Sequence, residues 1–439
     1  MGLTSNLTPA AVGLGDATVS TASILADMKP IVLFEDAGYV NLLPLLFWRC
    51  VFELRAGRNI LLDRTAQKLG RQIAGIWTRD WIAKVAQQRC GAPANRPLAE
   101  DAILVNGRWL VDGPVEFPSS PRCGTVGDEI AYIVCDRTLS ARLAPADLLD
   151  AQRQQAALRN VTRVPAGGEM ISYPWDLIDR LSELLIRDWQ PRDSAIDVPF
   201  DTQTLTGPMD QLHIGERAQI HATAILDASA GPIYISDDVA IAPYAVVEGP
   251  AYLGPGTRIN PYTWIHGGAS IGPMCKLGGE IDACVIHGCT NKQHHGFLGH
   301  SYVGSWVNLG AGTSNSDLKN TYGTVRVLLN GVNIDTGQMF FGAVIADHVK
   351  TGINSAIPTG AVLGFAASAA ACGLLPKYVP SFGWVTDRGV SAGKPDRLLD
   401  TASKVMARRH VDMTDDEVEL FFDLAGRVAT YEARGASPG

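Results

Sequence analysis

From Ile214 onward an aliphatic residue recurs every sixth position: Ile214, Ile220 and Leu226, then Ile235, Ile241, Val247, Leu253, Ile259, Ile265, Ile271 and Leu277. A helix repeats at about 3.6 residues and a strand at about 2, so neither accounts for the run. A period of six predicts a left-handed parallel β-helix, a triangular coil that turns one apolar residue inward per face. The hexads, such as "IGERAQ", "ISDDVA" and "LGPGTR", put small residues where the coil bends and the next rung stacks on it. Leu226 to Ile235 is nine residues, so "SAGPIY" reads as a corner insertion. The phase is lost between Leu277 and Tyr302, resumes at Val303 and Leu309, and returns at Ile345, Thr351, Ile357 and Leu363.

Ahead of the coil, residues 30–200 mix both periods. "IVLF" is a buried-strand run, "ILLDRTAQKLGRQIAGIW" continues with helical spacing, and "AILVNGRWLV" and "EIAYIVCD" read as strands. "APADLLDAQRQQAALRN" and "YPWDLIDRLSELLIRDW" carry the apolar stripe of amphipathic helices. Alternation of this kind predicts a wound sheet whose ligands sit at the carboxyl ends of the strands. A polar, turn-rich stretch, "IDVPFDTQTLTGPMDQLH", leads into the coil. Beyond Pro376, "KYVPSFGW" and one long charged amphipathic helix are placed to cap the open end of the coil. Residues 1–29 are small and polar and read as a disordered tail.

Composition narrows the function classes. The net charge of -8 with no block of Lys or Arg argues against a nucleic-acid partner. No apolar run is long enough to span a membrane or direct export. Eight cysteines without CxxC pairs or framework spacing suit reduced thiols in a cytoplasmic protein.

The candidate chemistry lies where the hexads lapse, in "TNKQHHGFLGHSYVGSWVNLGAGTSNSDLKNTYGTV". His294, His295 and His300 fall close together beside Lys292, Phe297, Asn308 and a glycine-rich "GAGT". A loop carrying a base, next to a groove with accessible backbone N–H groups, is what acylation of an amine requires. The alternatives are solvated loop histidines or a zinc site, although no Cys or carboxylate completes a recognisable ligand spacing there.

The stretch "NKQHHGFLGHSYVGSWVNLGAGT", with the hexads before it and an α/β domain ahead, resembles the acetyltransferase half of the bifunctional glucosamine-1-phosphate acetyltransferase and N-acetylglucosamine-1-phosphate uridyltransferase family, in an alternate branch related to it. "NLLPLLFWRCVFELRAGRNILLDR", "ILVNGRW", "YPWDLI" and "PKYVPSFGW" also look like blocks of this branch. The resemblance implies His294 as catalytic base, with His295 the alternative in another register. It also implies Phe297 and Asn308 as sugar contacts, and Ala311, Gly312 and Thr313 beside acetyl-CoA. The family's two phosphate-holding cations fall on His266 and Asp282 here, a loss that Lys292, Lys319 or Arg326 would have to make good. The front domain has no glycine-rich triphosphate loop. Its expected nucleotide ligands are Asn41, Arg49, Arg55, Arg58, Asn106 and Arg108, with Asp36 as a magnesium ligand; Arg55 and Arg58 read equally as helix-surface residues.

The expected architecture is therefore a nucleotidyltransferase-like (Rossmann-like) α/β domain over 30–200, a left-handed β-helix over 208–375 and a helical extension over 376–439. The resemblance implies a cytoplasmic homotrimer acting in UDP-N-acetylglucosamine-type synthesis on acetyl-CoA, an amino-sugar phosphate and a nucleoside triphosphate with Mg2+. The rival expectations are a nucleotidyltransferase whose coil is a trimerising scaffold, or a sugar-nucleotide-binding protein without turnover.

Overall fold

The computed structural model describes residues 29–197, 204–371 and 373–433; all but the last residue of the expected N-terminal tail lies outside them. The front domain is built on a six-stranded sheet. Its strands are β1 (Ile31–Phe34), β2 (Ile73–Trp77), β3 (Ala102–Asn106), β4 (Arg122–Val126), β5 (Glu129–Cys135) and β6 (Arg163–Pro165), in the order β2-β1-β3-β5-β4-β6. The first three run parallel, and β5 joins antiparallel to β3. Every residue of β1 and β3 is buried, which explains their unbroken apolar runs. The segment read as one helical stretch divides in two. Helix α1 (Leu61–Leu69) stops at Gly70, whose φ of 61° supplies the left-handed cap, and Ile73–Trp77 is β2.

The coil is confirmed as a parallel β-solenoid with three faces. One inward column runs Ile214, Ile235, Leu253, Ile271, Ile286, Val303, Ile345, Leu363 and Val379 in strict register. Pairing starts earlier than the hexads suggest, at Ala195–Ile196, and continues to Gly383–Thr386. The apparent loss of phase after Leu277 is not a loop-out. Rungs there shorten, and the inward positions continue through Ile281, Ile286, Lys292, Leu298 and Val303. An insertion between Val303 and Ile345 carries an antiparallel hairpin, Arg326–Leu329 with Val332–Asp335. Val325, just ahead of the hairpin, and Val327 and Leu329 within it join the apolar cluster that the front domain and the coil share.

The C-terminal segment forms two helices, α2 (Pro395–Ala407) and α3 (Asp415–Glu432). Thr414 caps α3 by accepting from the Glu417 N–H at 3.3 Å, in a capping box. Helix α3 does more than cap the coil. Phe421 sits against Phe365 and Phe382 of the last rungs and against Trp48 of the front domain. Arg89 Nη2 donates to Glu417 Oε1 at 2.7 Å from the front domain's side. One apolar cluster therefore runs from the front domain through the coil to α3. Among the described residues, no helix is long and apolar enough to cross a membrane.

Candidate active site

The two expected histidines occupy one corner of the coil. Lys292 stands in the inward column between Leu277 and Leu309, where every preceding rung has an aliphatic residue. The next residues turn out at the corner, so His294 and His295 are both exposed. Gly296 has a φ of 121°, and a Cβ there would overlap the Thr313 carbonyl of the next rung. The corner is tied down by backbone contacts: Asn260 Nδ2 donates to the Gln293 carbonyl at 2.8 Å, and the Phe297 N–H donates to Ser314 Oγ at 3.1 Å. Gly312, at φ 74°, faces it from the next rung. A Cβ on Gly312 would overlap Asn354 Oδ1 and lie 3.4 Å from His295 Nε2. The glycine keeps that approach open beside a half-exposed turn at Ala311 and Gly312. Thr313 Oγ1 lies buried against Thr351 Oγ1 at 2.9 Å and fixes the inner side of the turn.

The remaining expected sugar contacts lie around this corner with different roles. Phe297 is half-buried on the outer face, in register with Glu280 and, one rung further, Trp264. Asn308 Oδ1 accepts from Asn291 Nδ2 at 3.4 Å, and Asn291 Oδ1 accepts from Arg409 at 2.6 Å. Lys319 donates to the Thr324 carbonyl at 2.8 Å within the insertion, and exposed Arg326 pairs with Asp335 there. Lys292 is not a phosphate ligand: at 2 % exposure its ammonium is spent on backbone carbonyls inside the coil. His266 lies 3.3 Å from Glu248 and 3.1 Å from Glu280, so acids surround a position where a phosphate would need cations. Asp282, His300 and Asp317 come together from three different rungs, with ligand atoms within 4.8 Å of one another. This grouping has the donor types for a metal ion, and sequence spacing could not reveal it because its members are 17 and 18 residues apart. His300 Nδ1 already lies 2.9 Å from Asp317 Oδ2.

The front-domain expectations need correction. Asp36, just past β1, is held by Arg108, with Nε to Oδ1 at 2.7 Å and Nη2 to Oδ2 at 2.6 Å, and by Asn106 Nδ2 at 2.8 Å. Its charge is neutralised by a buried guanidinium, which does not fit a magnesium ligand. Gly38 is required there because a Cβ would strike the Arg108 guanidinium. Arg49, Arg55 and Arg58 do not converge on an open phosphate site. Arg49 crosses to the coil, where it pairs with Asp347 and lies 2.8 Å from the His287 ring. The Arg55 N–H donates to Tyr302 Oη at 2.8 Å, and the Arg58 guanidinium sits 4.7 Å from the Tyr234 ring centre. They join the two halves of the molecule. Asn41 is half-buried in the turn of 3-10 helix Ala37–Leu42.

The carboxyl ends of β1 and β2 open instead into a cavity of about 590 Å³ lined by Tyr39, Arg79, Asp80, Trp81 and Lys84 and, from α3, by Asp416, Glu419, Asp423, Arg427 and Tyr431, with Lys84 paired to Glu419 at 2.8 Å and Arg427 to Asp423 at 2.5 Å. Arg79 is buried, with Nε 2.9 Å from Glu35 Oε2, and lies 4.7 Å from the Tyr39 ring centre and 4.4 Å from that of Trp81. Sequence reading missed this site because half of its wall comes from the last helix.

The molecule is thus an α/β sheet domain packed along a parallel β-solenoid, with a corner of two histidines exposed on the coil. Residues 31–194 match the family model of sugar nucleotidyl transferases. Over 85 residues the chain is 35% identical to a bifunctional sugar-1-phosphate nucleotidylyltransferase/acetyltransferase from Sulfurisphaera tokodaii, covering 19% of this chain and 21% of that protein. The chain thus matches about a fifth of the length of this curated relative. Among solved structures, a mutant of AntD, an N-acyltransferase from Bacillus cereus in complex with dTDP and coenzyme A, is matched over 44% of this chain and 91% of that one. The identity is 15% and the TM-score 0.20, too low to inform the fold.

Proposed function

We propose that the coil transfers an acyl group, acetyl in the first instance, from acyl-CoA to the amine of an amino sugar, and that the front domain carries sugar-phosphate nucleotidyl transfer. The observation that carries the reading is the His294–His295 corner, exposed yet fixed in its backbone and open to the Ala311–Gly312 turn through a glycine. In the reaction the amine nitrogen attacks the thioester carbonyl while an imidazole of the corner takes the amine proton, His294 by the family resemblance or else His295, whose Nε2 is the ring nitrogen facing Gly312. The oxyanion is met by N–H groups of the Ala311–Gly312 turn, and collapse expels the CoA thiolate, which recovers the proton from the imidazolium. The product is an N-acyl sugar, consistent with UDP-N-acetylglucosamine-type synthesis. For nucleotidyl transfer, the cavity at the ends of β1 and β2 is the candidate place for the nucleotide, and the carboxylates Asp80, Asp416, Glu419 and Asp423 on its wall would call for the Mg2+ that accompanies a triphosphate.

A homotrimer in the cytoplasm completes the proposal. The stacked Tyr244 and Tyr262, at 54% and 74% exposure, and half-exposed Trp264 give the coil an apolar outer edge suited to a second copy. The seven described cysteines are free. A second reading, nucleotidyl transfer with the coil as scaffold, is favoured by the carboxylates Glu248, Glu280 and Asp282 around the position expected for phosphate. Thiol release from acetyl-CoA, assayed over a panel of free and phosphorylated amino sugars with wild type and His294→Ala, decides between them. Release lost in the variant supports acyl transfer, and no release from folded wild type with any acceptor leaves the scaffold reading.

A further inference from the structure

A lysine inside the coil has no ordinary reason to be there. Lys292 fills a slot that is Ile220, Ile241, Ile259 and Leu277 on the rungs below and Leu309 on the rung above. Burying an ammonium is costly, and no carboxylate pairs with this one among the described residues. Its three N–H bonds are instead matched by three carbonyls: Gly278 at 2.8 Å, Gly296 at 2.6 Å and His294 at 3.2 Å. Gly278 belongs to the rung beneath, while His294 and Gly296 flank the exposed imidazole of His295. Gly279 keeps room for the head group, since a Cβ there would lie 2.9 Å from Nζ.

We infer that Lys292 is a positioning residue: a strut driven from the coil interior into the corner, which fixes the backbone of His294 and so the aim of the candidate base. The inference rests on the acyl-transfer reading for its consequence, though not for its geometry. An aliphatic residue fills the column better but donates nothing, leaving the two corner carbonyls to set the imidazole by chance. Only the charged head group has three donors; a neutral amine has two and turns a lone pair toward the third carbonyl. The longest bond, to His294, is the one given up. Burial holds the Lys292 pKa down to about 8, so this exchange falls in an accessible pH range.

The test is hydrogen exchange, read by mass spectrometry on the full-length protein, with Lys292→Met beside wild type. Exchange over residues 293–297 is expected to rise about tenfold in the variant while rungs from Ile214 to Leu253 stay unchanged. In the acyl-CoA assay kcat is expected to fall about tenfold with KM for acyl-CoA held, a split that general loosening of the coil would not produce. Unchanged exchange at the corner, or an equal rise along the whole coil, overturns the inference. Should the variant not fold, wild type is followed from pH 7 to 9. Corner exchange, corrected for base catalysis, must rise relative to the lower rungs, and its failure to do so is equally fatal. Wild type that exchanges as expected but releases no thiol would retire the acyl-transfer reading and leave the strut standing.

Discussion

Arg49 of the front domain forms an ion pair with Asp347 of the coil across the boundary between them, with the two side chains 6% and 0% exposed. Ser305 and His287 complete the cluster, the Ser305 N–H donating to Asp347 Oδ1 at 2.6 Å. Taking two charges out of water is repaid only while both are present. Asp347→Asn is therefore expected to cost about 3–5 kcal/mol, and Arg49→Met with Asp347→Leu less than Asp347→Asn alone. Denaturant unfolding of the two variants checks the order.

The same cluster sets an acid limit. His287 and His348 are buried, and burial, reinforced by nearby cations, holds both well below the usual histidine range. A depressed folded pKa means that the unfolded chain binds protons first as pH falls. Stability is accordingly complete above about pH 6.5 and lost progressively below it. Thermal unfolding between pH 7.5 and 5 is expected to show the loss, and His287→Gln to reduce it.

Lys292 acts at the alkaline side. With its folded pKa near 8 and the unfolded value at 10.5, the unfolded chain holds more protons between those values, so stability against global unfolding, which returns the amine to water, rises with pH across that window even as the corner gives up one hydrogen bond. The gain is about 3 kcal/mol for a fully buried group, and Lys292→Met should not show it. Urea midpoints at pH 7.5 and 10 compare the two proteins.

At the corner, His294→Ala is expected to lower thiol release by about 10²–10⁴-fold with melting unchanged, and His295→Ala by much less. Gly296→Ala should cost about 1–3 kcal/mol and activity together, because its φ of 121° and the Thr313 carbonyl leave no place for a methyl group. Larger loss from His295→Ala than from His294→Ala would exchange their roles.

The coil was legible because each inward position carries one aliphatic side chain, and that signal survives without any knowledge of partners. It faded after Leu277 for two physical reasons: rungs shorten, and Lys292 places a polar residue inside. The histidine corner was visible as composition, while the Asp282, His300 and Asp317 grouping was hidden because stacking, not sequence, makes neighbours of them. Arg49, Arg55 and Arg58 misled for a related reason. An arginine cluster after a strand serves a phosphate or a buried acid equally well, and Asp347 lies 298 residues from Arg49. The single long helix expected at the end is divided because Thr414 and its capping box start a second one.

Helix α3 touches both halves and follows both of them in the chain. During synthesis the front domain and then the coil leave the ribosome with Trp48, Phe365 and Phe382 still uncovered, since Phe421 follows them all. Domains emerge and fold in order from the N-terminus. The union of the two halves is thus sealed only after α3 has emerged, and a chain stalled before residue 415 would present an aromatic seam to whatever else is in reach.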